Sequence, residues 1–229
     1  MKIIGSIVLL VLLIALLVMS TPVTRLGSGF LIGDARYVLT YYDLVEEADV
    51  IHVKFPNEDD IQARVVHENL PKNLAILKLS EPAKVKREPL SFAEPSTQDN
   101  NVFTLGYPWT NTLEDRHTLI EGVLAKTGVK FSDLIPLDLS LDPVHSGSPL
   151  INRKRQVVGM VLMARHVGDR FPEEHSSKHN YAIPYSTLQH AIQSVTSFKD
   201  ANPAPRKENV SMDDFIESVR NNVVLIEAR

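Results

Sequence analysis

Read from its apolar and polar positions, the chain divides into three stretches. Ile3 to Met19 is almost unbroken Ile, Leu, Val and Ala, preceded only by Lys2. From Leu26 the pattern changes to short β-branched and aromatic runs separated by glycines and polar turns. Such runs predict strands at Leu26–Gly33, Tyr37–Tyr42, Val50–Phe55, Ile61–His67 and Leu74–Leu79. Ile51-His-Val-Lys-Phe55 alternates apolar with polar residues, as a half-buried strand does. No helical period interrupts this half, so a small antiparallel barrel or sandwich is expected. Glu81–Asn101, with three prolines, reads as a connection between lobes. A second set of strands is predicted at Val102–Gly106, Thr118–Lys126, Ile135–Leu141, Val157–Met163 and Tyr181–Ile183. Ser186-Thr-Leu-Gln189 has the form of a capping box, and Leu188, Ala191, Ile192 and Val195 share one helical face behind it.

The expected organisation is a terminal segment over 1–20, a domain over 21–198 with lobes at about 26–85 and 100–198, and a linker and apolar tail over 199–229. Asn202-Pro-Ala-Pro205 is a stiff spacer. Ser211 and Asp214 can cap a short helix bearing Phe215, Ile216 and Val219, and Val223–Ile226 is rich in β-branched residues. A tail this apolar is expected to dock on its own domain or on a partner, by strand addition to an exposed edge.

Residues 3–19 would span roughly 25 Å as a helix, close to a bilayer core. A cleaved signal peptide and an uncleaved anchor both fit. The run exceeds the usual signal h-region of about 7–15 residues, which favours the anchor. With Lys2 before it, the expected orientation is N-terminus cytoplasmic and domain extracytoplasmic, periplasmic in a bacterium. The net charge of −4 supplies no basic surface for nucleic acid. There is no cysteine, which excludes disulfides, a thiol nucleophile and a lipoprotein anchor.

Chemistry concentrates in Asp138-Leu-Ser-Leu-Asp-Pro-Val-His-Ser-Gly-Ser-Pro-Leu150. This stretch resembles the nucleophile loop of HtrA-type, trypsin-like serine proteases, Asn-Pro-Gly-Asn-Ser-Gly-Gly-Pro-Leu. The resemblance extends from about Leu26 to Val195. Gly27-Ser-Gly-Phe-Leu-Ile resembles the family's opening strand, Tyr37–Val45 the segment that carries its catalytic histidine, and Asn73-Leu-Ala-Ile-Leu-Lys78 the segment that carries its catalytic aspartate. Leu105-Gly-Tyr-Pro108, Ile120–Leu124 and Tyr181-Ala-Ile-Pro184 match further family segments in order. The resemblance implies an all-β fold: two Greek-key antiparallel barrels of the chymotrypsin type, a C-terminal helix, and a cleft between the barrels. Residues after 198 are too few for the family's PDZ module, which is not expected within this sequence.

The family divides its chemistry among an attacking serine, a histidine that moves the proton and an aspartate that holds the histidine. The matching positions here are Ser146, Asp43 and Asn73. The imidazole base and its carboxylate partner are both replaced. The oxyanion-hole position spans Val144, His145 and Ser146, with Val144 where the family has glycine and Ser148 where it has the second glycine of a pair. Asp43 and Asn73 can instead hydrogen-bond as a polar pair across the former cleft. His145 adjoins Ser146, but neighbouring side chains on an extended turn point apart. His52, His67, His117 and His166 match no catalytic position. Glu173, Glu174, His175 and His179 have metal-ligand residue types, but they sit in a polar loop and read as a solvated surface. No metal or cofactor is expected. The expected function is a membrane-anchored pseudoprotease acting as scaffold, accessory subunit or peptide-binding protein, with a protein partner or extended peptide. The alternative is a serine endopeptidase that uses Ser146 with a non-standard base.

Overall fold

A computed structural model of the chain describes residues 23–33, 36–56, 60–84, 87, 90–95, 101–106, 118–124, 134–163, 180–195 and 211–229. The predicted anchor over 1–20 and the polar loop holding Glu173, Glu174, His175 and His179 lie outside these residues. Among the described residues no helix is long and apolar enough to cross a membrane.

The fold is all-β with a helix closing the second lobe. The first barrel contains β1 (Arg25–Ile32), β2 (Tyr37–Thr40), β3 (Ile51–Lys54), β4 (Ile61–Asn69) and β5 (Leu74–Leu79). Its sixth member is β13 (Val223–Ala228), from the far end of the sequence. The order β1-β13-β3-β4-β5-β2 closes on itself. The tail therefore docks on its own domain, and the first lobe needs residues well beyond the 26–85 span expected from sequence. The apolar positions of β13 explain this: Val223, Val224, Ile226 and Ala228 are all fully buried. They fill the gap between β1 and β3, where Ile226 sits opposite both Gly27 and Val53.

Polar contacts fix the register of that strand. Glu227 accepts from Arg229 Nε at 2.8 Å and lies 3.2 Å from Lys54 Nζ, which is also 3.4 Å from Asp60. Burial alone would lower the Lys54 pKa, but hydrogen bonding and charge from Glu227 and Asp60 outweigh it and raise it. Upstream, Ser211 Oγ caps α3 (Met212–Arg220) by accepting from Asp214 N–H at 3.2 Å, as its sequence position predicts. Arg87, in the interlobe connection, donates to the Asn221 carbonyl at the end of α3 and lies over the Phe55 ring at 4.5 Å.

The second sheet has the order β10-β7-β8-β9-β12-β11-β6. It comprises β6 (Ser91–Phe92), β7 (Asn101–Gly106), β8 (Thr118–Leu124), β9 (Ile135–Asp138), β10 (Pro149–Asn152), β11 (Gln156–Leu162) and β12 (Asn180–Pro184). β10 also pairs with β11, so six of these strands close into a second barrel. β6 and β10 are absent from the sequence reading. β6 is a two-residue strand inside a proline-rich connection, and β10 begins with a proline directly after the serine loop. Two boundaries also move. β2 stops at Thr40, and Tyr42–Val45 form a one-turn helix, α1. The closing helix α2 spans Tyr185–Val195, so Ser186 lies inside it rather than at its cap. Phe92 stacks on Tyr185 at 5.7 Å and meets Phe30 at 6.4 Å, joining α2 to the first barrel.

Candidate functional site

Asp43 stands in the first turn of α1, which β2 delivers to one end of the first barrel. Asn73 follows a 3-10 turn (Leu70–Lys72) and immediately precedes β5. It adopts a left-handed conformation, φ 50°, which asparagine tolerates better than most residues. That geometry brings the two together. Asn73 Nδ2 donates to Asp43 Oδ2 at 2.8 Å, and Asn73 Oδ1 accepts from Asp43 N–H at 2.9 Å. The Asn73 carbonyl also accepts from Tyr42 N–H at 3.2 Å. Asn73 is fully buried and Asp43 half-buried. Arg25, at the start of β1, donates to the backbone carbonyls of Asp43 and Glu46.

The polarity of this pair is the reverse of a histidine–aspartate pair. There, the inner carboxylate accepts from the outer imidazole, which keeps its second nitrogen ready to take a proton. Here the inner residue donates and the outer one accepts. A carboxylate of ordinary pKa near 3.9 is about 2.6 units less basic than imidazole near 6.5.

The serine loop is tied to both barrels. Pro143–His145 form a 3-10 turn. The Val144 carbonyl accepts from Ser28 Oγ at 2.6 Å, the Ser146 carbonyl accepts from Ser28 N–H at 3.0 Å, and Thr40 Oγ1 donates to the Ser28 carbonyl at 2.8 Å. On the other side, Gly147 N–H reaches the Val161 carbonyl at 2.9 Å, and Val161 N–H reaches the Ser148 carbonyl at 2.8 Å. Gly147 has φ +89°, and a Cβ there would lie 2.0 Å from the Ser28 carbonyl oxygen. Glycine is therefore required twice over, by backbone conformation and by close approach.

Val144, His145, Ser146 and Ser148 are all buried. Ser146 Oγ accepts from Met163 N–H at 3.1 Å, just past the end of β11. The hydroxyl is thus turned toward the second sheet and engaged there. The His145 ring folds back over the turn, with Nδ1 accepting from Asp142 N–H at 3.1 Å, and it packs against Gly106, where a Cβ would lie 2.6 Å from Cδ2. The ring is thus engaged by the loop's own backbone and by β7, within a 3-10 turn rather than the extended turn expected from sequence. Val144 occupies the 3-10 turn, and the loop's left-handed residue is Gly147.

Sequence reading named Asp43, Asn73, Ser146, Val144 and His145 but missed the residues that hold them. Ser28 was visible only as the middle of Gly27-Ser-Gly, and Thr40 as the end of a strand. Arg25 and Met163 gave no signal, because their contributions depend on strand ends and loops that meet only once each barrel has folded. Among the described residues no group of His, Asp and Glu is arranged to hold a metal.

Comparisons with known proteins agree with this architecture. Residues 27–160 match the family described as trypsin-like peptidase domain. Protease Do-like 1 (chloroplastic) of Arabidopsis thaliana is 25% identical over 182 residues, covering 75% of this chain and 39% of that protein. A probable periplasmic serine endoprotease, DegP-like, of Pseudomonas putida strain GB-1 is 30% identical over 140 residues, covering 59% of this chain and 28% of that protein. The crystal structure of the serine endoprotease from Yersinia pestis superposes with a TM-score of 0.58 at 23% identity, covering 74% of this chain and 57% of that one, a likeness of fold. This chain thus spans well under half the length of the two sequence relatives. With the family match extending over more than half of its residues, the chain belongs to the trypsin-like peptidase domain family.

Proposed function

We propose that the chain is a trypsin-like pseudoprotease that acts as a membrane-anchored scaffold, accessory subunit or peptide-binding protein outside the cytoplasm. The observation that carries this reading is the Asn73-to-Asp43 hydrogen bond at 2.8 Å. The positions of the general base and its orienting acid hold a carboxylate and an amide bonded to each other. Proton abstraction from a serine needs a group that accepts near neutral pH within reach of Oγ. The buried Ser146 hydroxyl, accepting from Met163, supports the same reading. In a serine protease of unrelated fold, loss of the serine or the histidine alone costs on the order of a millionfold in turnover. Relatives named as periplasmic endoproteases support an extracytoplasmic place for the domain. The apolar run of residues 3–19 supports an anchor. Binding of an extended peptide by strand pairing requires backbone groups and no triad.

The test is labelling with a fluorophosphonate probe, on the wild type and on Ser146→Ala, beside an active HtrA-type protease. Folded wild type is expected to remain unlabelled while the control reacts. Labelling that disappears in Ser146→Ala would establish the endopeptidase alternative and a base other than Asp43's lost histidine.

A further inference from the structure

We infer that the end of the first barrel carrying Asp43 and Asn73 lies against the membrane surface, with Val23, Leu26, Val50 and Leu70 at the headgroups. The inference rests on the anchor reading of residues 1–20.

Strand registers define this end. β1, β3 and β5 begin there and β2, β4 and β13 finish there, since Arg25 pairs with Ala228, Ala228 with Ile51, Asn69 with Leu74 and Thr40 with Ala75. α1 follows β2, and Asn73 precedes β5, so both belong to it. Only Ser20 to Thr24 separate the apolar run from Arg25. Five residues extend at most about 18 Å, whatever path they take. Arg25 then touches the Asp43 carbonyl directly, at 3.2 Å. If residues 3–19 cross the bilayer, the tether leaves the Asp43 end no room to be the distal one.

The surface of that end is consistent with the placement. Of the large hydrophobic side chains exposed among the described residues, Val23 is 79% exposed, Leu26 36%, Val50 37% and Leu70 40%, and only Val123 belongs to the second barrel. They are scattered side chains rather than a continuous patch, suited to shallow contact at an interface the tether already enforces. Glu47, Asp49 and Glu68 are exposed close to them, and Arg229, whose backbone pairs with Val50, is exposed beside them with its side chain bonded to Glu227. Both signs are thus present with carboxylates in excess, which fits a zwitterionic surface and is repelled by an anionic one. The occupant is therefore a phosphatidylcholine-like headgroup layer.

The natural sequence has no cysteine, so single substitutions give unique labels on the full chain. Val50→Cys and Leu70→Cys would carry a nitroxide at the inferred membrane end, and Arg36→Cys one at the opposite end. Each chain would be reconstituted in phosphatidylcholine vesicles, checked for native circular dichroism, and washed with alkaline carbonate before accessibility to oxygen and to a nickel chelate is measured. Retention in the washed vesicles is expected. The oxygen-to-nickel accessibility ratio is expected to be severalfold higher at positions 50 and 70 than at 36, and to fall when phosphatidylglycerol is added. A retained chain with equal ratios at both ends would overturn the membrane-facing placement while the anchor stands. Release by carbonate would remove the anchor and the placement together. Having two labels at the inferred end covers the loss of either variant through misfolding.

Discussion

Deleting residues 206–229 removes β13 and should prevent the first barrel from forming. The strand makes six residue pairs with β1, Arg25 to Phe30, and four with β3, Ile51 to Lys54. Without it both become open edges with unpaired backbone groups. The deletion also removes Val219, Val223, Val224 and Ile226, each at most 1% exposed. At roughly 1.5–3 kcal/mol per buried side chain of this size, about 6–12 kcal/mol is lost. Whole-domain stabilities are about 5–15 kcal/mol, so the truncated chain is expected to lack a cooperative transition. A milder form tests the same packing: Ile226→Ala removes a side chain that lies over Gly29, where a Cβ would come within 2.7 Å of Ile226 Cδ1. It should cost about 2–5 kcal/mol. At about 2–4 °C per kcal/mol for a chain of this size, Tm falls by roughly 4–20 °C. Thermal unfolding followed by circular dichroism on the purified full chain and both variants reads this directly. A deleted chain that unfolds cooperatively within a degree or two of wild type would refute the assignment of β13 to the barrel.

Glu227→Gln should destabilise the chain by about 1 kcal/mol at neutral pH. The hydrogen bond from Arg229, aided by Lys54, holds the Glu227 carboxyl below its ordinary value of 4.5. The stabilisation is thus complete above 4.5 and lost as pH falls through the lower folded value, so the gap between denaturant melts of wild type and variant should be full above 4.5 and close as the pH is lowered below it. Gly147→Ala meets both a positive φ and the Ser28 carbonyl, and should cost about 3 kcal/mol or more in urea melts, where a neutral result would show that the serine loop is not so held. Asn73→Ala withdraws the amide from Asp43 and should cost about 1–3 kcal/mol. Asn73→Gly accommodates φ 50° but lacks the amide, so equal loss in the two variants assigns the effect to the hydrogen bonds, whereas wild-type stability in Asn73→Gly would assign it to backbone conformation.

By itself, the sequence determined which residues occupy the site and most of the strands. Short apolar runs such as Leu74–Leu79 and Val157–Met163, and the two-residue alternation of Ile51–Phe55, mark strands locally, and the identities of Asp43, Asn73 and Ser146 at motif positions decide which functional groups are present. Local chemistry also fixed the cap of α3, because Ser211 and Asp214 satisfy each other within one turn. Tertiary structure decided what crosses between elements. β13 reads as a short apolar run that should dock on its own domain or on a partner, and only the gap between β1 and β3 makes it a barrel strand. The engagement of Ser146 Oγ by Met163 depends on closure of the second barrel, and that of the Val144 and Ser146 carbonyls by Ser28 on two barrels meeting at one loop. Side-chain period is a property of one strand; hydrogen bonds over a separation of 116 residues are a property of the packed chain.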